Sequence, residues 1–471
     1  MRRIAIVGGG VAGVTAAYEL TRLAPNNGEQ LQVALYEASS RLGGIVETVH
    51  EGGFIIEGGP DGWVSEKPWA RELALELGLG DELVPSNDEG RKTYVLIDNI
   101  LKAMPDGMRM MVPGDLSALD ASELFSAEAK QAYRDEVTRA EELKALSPEH
   151  DESVAEFIRR HFGEEVLVKI GAPLLSGVFG GDVTKLSVRA VMAPFVAMER
   201  EHGSLITAMR AREPSREKPA IFTTLKNGLG TLIDSMVTAI PQGWIQLGTK
   251  VNHLERDGTG WWVSSSSDHG PAERERFDAV LLAAPVHIAR HLLEPVDARS
   301  AELMNMEASS AVIVGFGFDD AAQINLPAGF GFLVPPNSDT NNLLMACTFM
   351  DQKFSGRVPA GGRLLRAFFG GQAAERLMHC GNDEIASVAR MELAHILGPL
   401  PEPRVTVVRR QPLSLPQYSV GHLERMAELQ ARISKLGDLW LLGNGYRGVG
   451  LPDLIRDARS AAHEQAAHIV Q

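Results

Sequence analysis

The chain has 471 residues, enough for two or three domains with sizeable cores. Its formal charge of −15 disfavours non-specific nucleic-acid binding and offers no long-range attraction to an anionic substrate, so any anion site must be built locally. Two cysteines, Cys347 and Cys380, can neither frame a disulfide scaffold nor supply metal-ligand spacing, which suits a reducing compartment and a protein without a metal site.

In chain order, Ile4 to Val7 is a short buried-strand pattern that breaks into glycines too early for a signal-peptide core. No window holds the roughly 18 uninterrupted apolar residues a membrane span needs. A cytoplasmic location is expected, with peripheral membrane contact left open. Val11 to Leu23 has helical spacing, Pro25-Asn26-Asn27-Gly28 breaks it, and Leu31 to Tyr36 is a second strand ending at Glu37. The three pieces predict a parallel β-α-β unit. Pro68 to Leu83 reads as helical. The charged, alanine-rich section from Ser117 to Glu165 predicts a helical subdomain, with a linker at Glu213-Pro214 to Lys218-Pro219.

Later segments resemble pieces of the first unit. Lys226-Asn227-Gly228-Leu229-Gly230 leads into a helix, and Ile245 to Leu254 reads as a strand that returns at Trp261-Trp262-Val263. Val280 to Pro285 is a strand feeding a helix. Leu439 to Leu442 is another, followed by a glycine-rich turn and a helix from Asp453 to His468. The expected fold is α/β (α+β overall). A discontinuous Rossmann-like domain (residues 1–90, 220–290 and 431–471) carries a mainly helical insert (91–219) and a mixed-sheet substrate domain (291–430).

Gly8-Gly9-Gly10-Val11-Ala12-Gly13 fits G-x-G-x-x-G between a strand and a helix. The first glycine makes the turn, the second admits a pyrophosphate, and the third allows close helix–strand packing. Glu37, with Ala38 beside it, stands where a carboxylate would accept from a ribose diol. Arg41-Leu42-Gly43-Gly44 follows at once, a second pair lies at Gly58-Gly59, and the C-terminal turn holds Gly443-Asn444-Gly445 and Gly448-Val449-Gly450. One compact nicotinamide dinucleotide would not need so many close approaches. A longer buried dinucleotide would, so FAD is the expected cofactor, and the last helix's N-terminus would favour negative charge on its reduced ring.

These glycine sets resemble the flavin-containing amine oxidase superfamily. Four stretches narrow the resemblance to the bacterial coproporphyrinogen III / protoporphyrinogen IX oxidases of haem synthesis: Pro173 to Asp182, Gly203 to Ile206, Gly329 to Pro335, and Leu415 to His422. The resemblance runs nearly end to end. It implies a three-part enzyme in which Gly8, Gly10, Gly13, Glu37, Arg41 and Gly44 meet the adenosine and pyrophosphate end of FAD. Val251 would present its backbone to adenine, Gly59, Pro60 and Asp61 would lie along the flavin, and Val449, Gly450 and Leu451 would turn beneath its ring. The implied partners are a porphyrinogen and dioxygen, with no nucleic acid. Peripheral membrane contact and transient contact with other haem-pathway enzymes remain open.

Each oxidation would pass a hydride from a methylene bridge to flavin N5 and a proton from a pyrrole nitrogen, with peroxide released on reoxidation. The cofactor carries that chemistry, so the protein mainly orients the ring and excludes water. Substrate propionates need cationic anchors. Lys67 is the first candidate because it follows the flavin segment; Arg71 and Arg91 are secondary. Tyr418 and His422 are expected to support the fold by hydrogen bonding rather than act as a base. Trp63 and Tyr446 read as core aromatics that could also face the macrocycle, and Met108-Arg109-Met110-Met111 as flexible packing. Two alternatives stand beside this reading. One is an amine or polyamine oxidase, against which Asn444 replaces the glutamate typical after the glycine. The other is a non-catalytic binding protein on the same fold, like the prenyl-binding escorts of small GTPases.

Overall fold

The carboxyl ends of five strands meet at one edge of a parallel sheet. In spatial order these are Ile245–Gln246, Leu31–Tyr36, Arg2–Val7, Ala279–Leu282 and Leu439–Leu441. Val7 is in register with both Tyr36 and Leu282, and Leu282 with Leu441, so the turns that follow emerge side by side. The computed structural model describes residues 2–23, 31–211, 220–267, 270–336 and 342–467. The break expected over residues 25–28, the linker over 213–219 and the helix end at 468 lie outside those residues.

These strands are apolar on both faces because both are covered, as parallel sheets require. Helices Val11–Leu23, Gly230–Ala239 and Leu451–Ala467 bury one face. The other packs against an antiparallel sheet of Thr249–Asp257, Gly260–Ser267 and Glu273–Phe277 and against helices Val286–Leu293 and His422–Leu436. The strand expected from Ile245 to Leu254 is therefore two. Gly248, at φ 60°, turns the chain from the parallel sheet into the antiparallel one.

The helix expected over Pro68 to Leu83 is also shorter, running Trp69–Glu76. Gly78, at φ 78°, ends it, and Leu83–Pro85 is a strand paired with Phe222–Leu225. A seven-stranded mixed sheet runs Val405–Pro416, Ala308–Phe318, Arg363–Phe369, Ala346–Phe349, Gly331–Leu333, Thr93–Ile97, Ile100–Ala103. Its last two strands were expected in the helical insert. They join this sheet instead because Thr93–Val95 pair in parallel with Gly331–Leu333. Residues 116–211 are mainly helical and build one apolar core. Among the described residues no helix is long and apolar enough to cross a membrane.

Candidate flavin-binding site

Three turns form the candidate site: the first and third leave the carboxyl edge of the parallel sheet, where open α/β sheets bind ligands, and the second is tied to the start of the last helix through Lys67. In the first, a side chain on Gly13 would sit 1.9 Å from the Gly8 carbonyl oxygen, so only glycine lets the helix pack on its strand. A Cβ on Gly10 would meet nothing within 4 Å, leaving this backbone open to a ligand at the start of helix Val11–Leu23. Glu37 accepts from the Gly9 and Ser39 backbone N–H groups at 2.7 and 2.8 Å, which orients its carboxylate beside the turn and leaves lone pairs for a diol. Ala38 is exposed next to it. Gly43 N–H donates to the Gly9 carbonyl at 2.8 Å, placing the second glycine pair against the first turn. Arg41 folds back on its own loop, donating to the Leu42, Val46 and Gly44 carbonyls, and so shapes Gly43 and Gly44. Val251 is buried at a register shift between Val251 and His253, where the strand ladder is interrupted.

The second turn is the segment from Glu57 to Lys67. Its glycine pair is explained by protein contacts: a Cβ on Gly59 would lie 1.9 Å from the Ile45 carbonyl, and one on Gly58 would press on Arg409. Glycine is required here by close approach to the protein's own backbone and side chains, so this pair by itself does not argue for a long cofactor. Around Pro60 the structure gathers charges that the sequence reading missed. Asp61 is chelated by Lys353 at 2.9 and 3.0 Å and touched by Arg366 at 3.2 Å. Arg366 also donates to the Gly59 carbonyl. Burial alone would raise the Asp61 carboxyl, but Lys353 and Arg366 outweigh it and hold it below the usual range. Glu57, wholly buried, accepts from Thr48 Oγ1 at 2.7 Å and Leu229 N–H at 2.8 Å, and burial pushes its carboxyl up. Arg357 stands 3.8 Å from it. Lys67 lies at the far end, where its Nζ donates to Asp453 Oδ2 at 2.6 Å at the start of the last helix.

The third turn joins Leu439–Leu441 to Leu451–Ala467. Gly443 holds φ 127° with open space where a Cβ would point. Tyr418 and His422 grip this turn. The Tyr418 hydroxyl donates to the Asn444 carbonyl at 2.6 Å and accepts from Gly448 N–H at 3.0 Å. His422 Nε2 donates to the Tyr446 carbonyl at 3.1 Å, and the two rings stack 3.8 Å apart. Burial pushes His422 down to about 4, so its ring is neutral near pH 7. Asn444 Nδ2 donates to the Ser414 carbonyl at 2.7 Å. Gly450 accepts from the Asp453 N–H at 2.9 Å, Leu451 is buried, and Val449 packs against the helical core.

Other candidates are dispersed. Arg71 is exposed and Arg91 half-buried. Trp63 and Tyr446 are core residues. Met108 and Met111 are buried in the helical core, Met110 packs against it, and exposed Arg109 pairs with Glu66 at 2.6 Å. The turns nevertheless fit a flavin dinucleotide. Gly10 and Gly443 leave backbone open after two strands of the parallel sheet that flank Ala279–Leu282, each followed by a helix N-terminus.

The family model for flavin containing amine oxidoreductases matches residues 11–464, and the chain belongs to that family. It is an oxidoreductase of a flavin-using class. Within the class it is 32% identical to the coproporphyrinogen III oxidase of Bacillus subtilis (strain 168), over 99% of this chain and 98% of the relative. The crystal structure of a putative protoporphyrinogen oxidase from Exiguobacterium sp. 255-15 superposes with a TM-score of 0.86 at 30% identity, covering 99% of both chains. Cyclohexylamine oxidase from Brevibacterium oxydans IH-35A shares the fold at a TM-score of 0.71 and 17% identity, over 100% of both chains.

Proposed function

We propose that this protein is an FAD-dependent oxidase of a porphyrinogen in haem biosynthesis, with coproporphyrinogen III as the favoured substrate and protoporphyrinogen IX as the second choice. The reading is carried by the nearly full-length similarity to the Bacillus subtilis enzyme. The fold shared with an amine oxidase at 17% identity speaks for architecture alone.

FAD bound across the three turns would supply the acceptor for a hydride from the methylene bridge, with dioxygen as the final acceptor and hydrogen peroxide as product. The chain's own groups bind and orient. Gly8 to Gly13 and Glu37 would hold the pyrophosphate and ribose, with Arg41 shaping the adjoining loop. Arg366 and Lys353 fix Asp61 and the Gly59 carbonyl, so the segment proposed to lie along the ring is held from the substrate sheet. Lys67 would take a propionate: its side chain is 46% exposed and its ammonium has three donors, of which Asp453 uses one. His422 is neutral and spends its donor on the Tyr446 carbonyl, which suits a supporting role rather than general-base catalysis. The protein would work in the cytoplasm, with peripheral membrane contact and transient contact with other haem-pathway enzymes as further proposals.

The test is anaerobic reduction of the bound flavin by each porphyrinogen in turn. Bleaching by coproporphyrinogen III supports the proposal, and faster bleaching by protoporphyrinogen IX reassigns the substrate. Reduction by neither, with reduction by a polyamine, would move the protein to the amine oxidases.

A further inference from the structure

The segment from Gln417 to His422 is tied to the helical region on one side and to the third turn on the other. Gln417 exchanges hydrogen bonds with the Asp182 backbone at 3.0 and 3.2 Å, and the Tyr418 carbonyl accepts from Ser187 N–H at 2.7 Å. Asp151 accepts from Gly421 N–H at 2.9 Å. From this anchorage the Tyr418 hydroxyl bridges Asn444 and Gly448, His422 holds the Tyr446 carbonyl, and Asn444 reaches back to Ser414. Four polar contacts thus converge on a six-residue turn whose Gly443 still faces open space. These partners come from a second element rather than from the turn itself, so the conformation of the turn depends on that element.

We propose that Tyr418 and His422 are positioning residues, a clasp that holds the turn Gly443–Gly448 in the conformation that supports the flavin ring. This rests on the reading that the third turn lies beneath the flavin. The stacked rings make the clasp one rigid unit. Tyr418 is the more important half because its single hydroxyl serves as donor and acceptor at once, and its loss leaves both Gly448 N–H and the Asn444 carbonyl without a partner. The clasp also couples the helical region to the cofactor turn, since movement of Asp182 or Ser187 would be felt at Gly448.

The test uses full-length protein loaded with FAD. Tyr418→Phe keeps the ring and deletes the hydroxyl, His422→Gln keeps a donor for the Tyr446 carbonyl, and His422→Leu removes it. FAD dissociation constants, visible circular dichroism of the bound flavin and its midpoint potential with a chemical reductant are compared with thermal unfolding of the apoproteins. We expect Tyr418→Phe and His422→Leu to weaken FAD binding about tenfold and alter the flavin dichroism, with His422→Gln near wild type. Should Tyr418→Phe fail to fold, the contrast between the two His422 variants decides the question. Wild-type affinity, dichroism and potential in Tyr418→Phe and His422→Leu would overturn the clasp while leaving the flavin reading intact. Wild-type protein that takes up no FAD would overturn the flavin reading, and the clasp with it.

Discussion

Two buried charge clusters occupy different parts of the molecule and are built in opposite ways. In the helical region His161 lies between Glu136 and Glu199, its ring nitrogens 3.1 and 3.0 Å from their carboxylates. Ser204 Oγ and Leu205 N–H complete Glu136, while Ser147 and Arg160 complete Glu199. Burial alone would raise Glu199, but hydrogen bonds from His161, Arg160 and Ser147 hold it at about 2. No buried side-chain nitrogen or oxygen of this network lacks a hydrogen-bond partner among the described residues. Where the mixed sheet meets strands Phe54–Glu57 and Phe222–Leu225, by contrast, Lys353, Arg357 and Arg366 have only Glu57 and Asp61 as anionic partners. Arg357 Nε and Nη1 and Arg366 Nε have no hydrogen-bond partner among the described residues, and burial lowers the proton affinity of both guanidinium groups. A saturated network serves packing. A cationic cluster with donors to spare, beside the segment proposed to lie along the flavin, has the composition of an electrostatic device.

The largest expected effect separates the two at once. Arg366→Met removes the grip on Gly59 and leaves Asp61 with Lys353 alone, at a cost of about 4 kcal/mol as for a broken buried pair. It should also lower the midpoint potential of the bound flavin by about 30 mV, because a lost cation disfavours negative charge on reduction. Arg366→Lys, which keeps the charge, should restore the potential more than the stability. Denaturant unfolding and anaerobic potentiometry measure the two quantities. An unchanged potential would make this cluster as purely structural as the helical one. The converse experiment is His161→Leu, expected to cost about 3 kcal/mol by bringing two carboxylates together without the ring between them. Its flavin potential should match wild type, and a shifted potential would erase the distinction.

The sequence made the first and third turns legible because both rest on local glycine chemistry next to short apolar strands. Gly8 to Gly13, Glu37 and the turn after Leu441 each stand at the end of a short apolar strand and can be found from the residues immediately around them. The charge cluster could not be found that way, since Arg366 meets Asp61 across 305 positions and Lys353 across 292. One signal was available: Arg366 interrupts an apolar strand, Leu364-Leu365-Arg366-Ala367-Phe368, and a charge in such a run is either at an edge or buried with a purpose. The hairpin Thr93–Ala103 was assigned to the helical insert for a similar reason, because its partner Gly331–Leu333 lies more than two hundred residues away. Gly58 and Gly59 taught the opposite lesson. Their spacing suggested a ligand, whereas Arg409 and the Ile45 carbonyl occupy the space.

Two buried histidines extend the contrast to pH. His161 is flanked by carboxylates, whereas His422 faces the Tyr446 carbonyl and the Tyr418 ring, with Arg425, Asp151 and Glu424 as the charged groups acting on it. Its folded value, about 4, lies below the ordinary 6.5, so folding favours the neutral ring. That contribution is complete above pH 6.5 and is lost as the pH falls towards 4. The loss should approach about 3 kcal/mol. Denaturant unfolding of wild type against His422→Gln across this window isolates it. Equal pH slopes in the two proteins would mean that His422 titrates as if solvated.

The smallest stability effect belongs to Lys67, the exposed outlier of the junction's cations. Its pairing with Asp453 joins a half-exposed ammonium to a buried carboxylate, and solvent screening limits the pair to less than about 1 kcal/mol. Lys67→Ala should therefore scarcely change unfolding or FAD content. Its kinetic effect should be larger, because a propionate held by a charge-assisted bond in both ground and transition states loses binding without losing turnover. The expected signature is a rise of about tenfold in KM with kcat preserved. A fall in kcat at constant KM would instead point to Asp453: freed from Lys67, its charge would bear on the Gly448–Gly450 turn, whose backbone already crowds that carboxylate. Unchanged kinetics would reduce Lys67 to a surface ion pair and leave Lys353, Arg357 and Arg366 as the cations through which this junction acts.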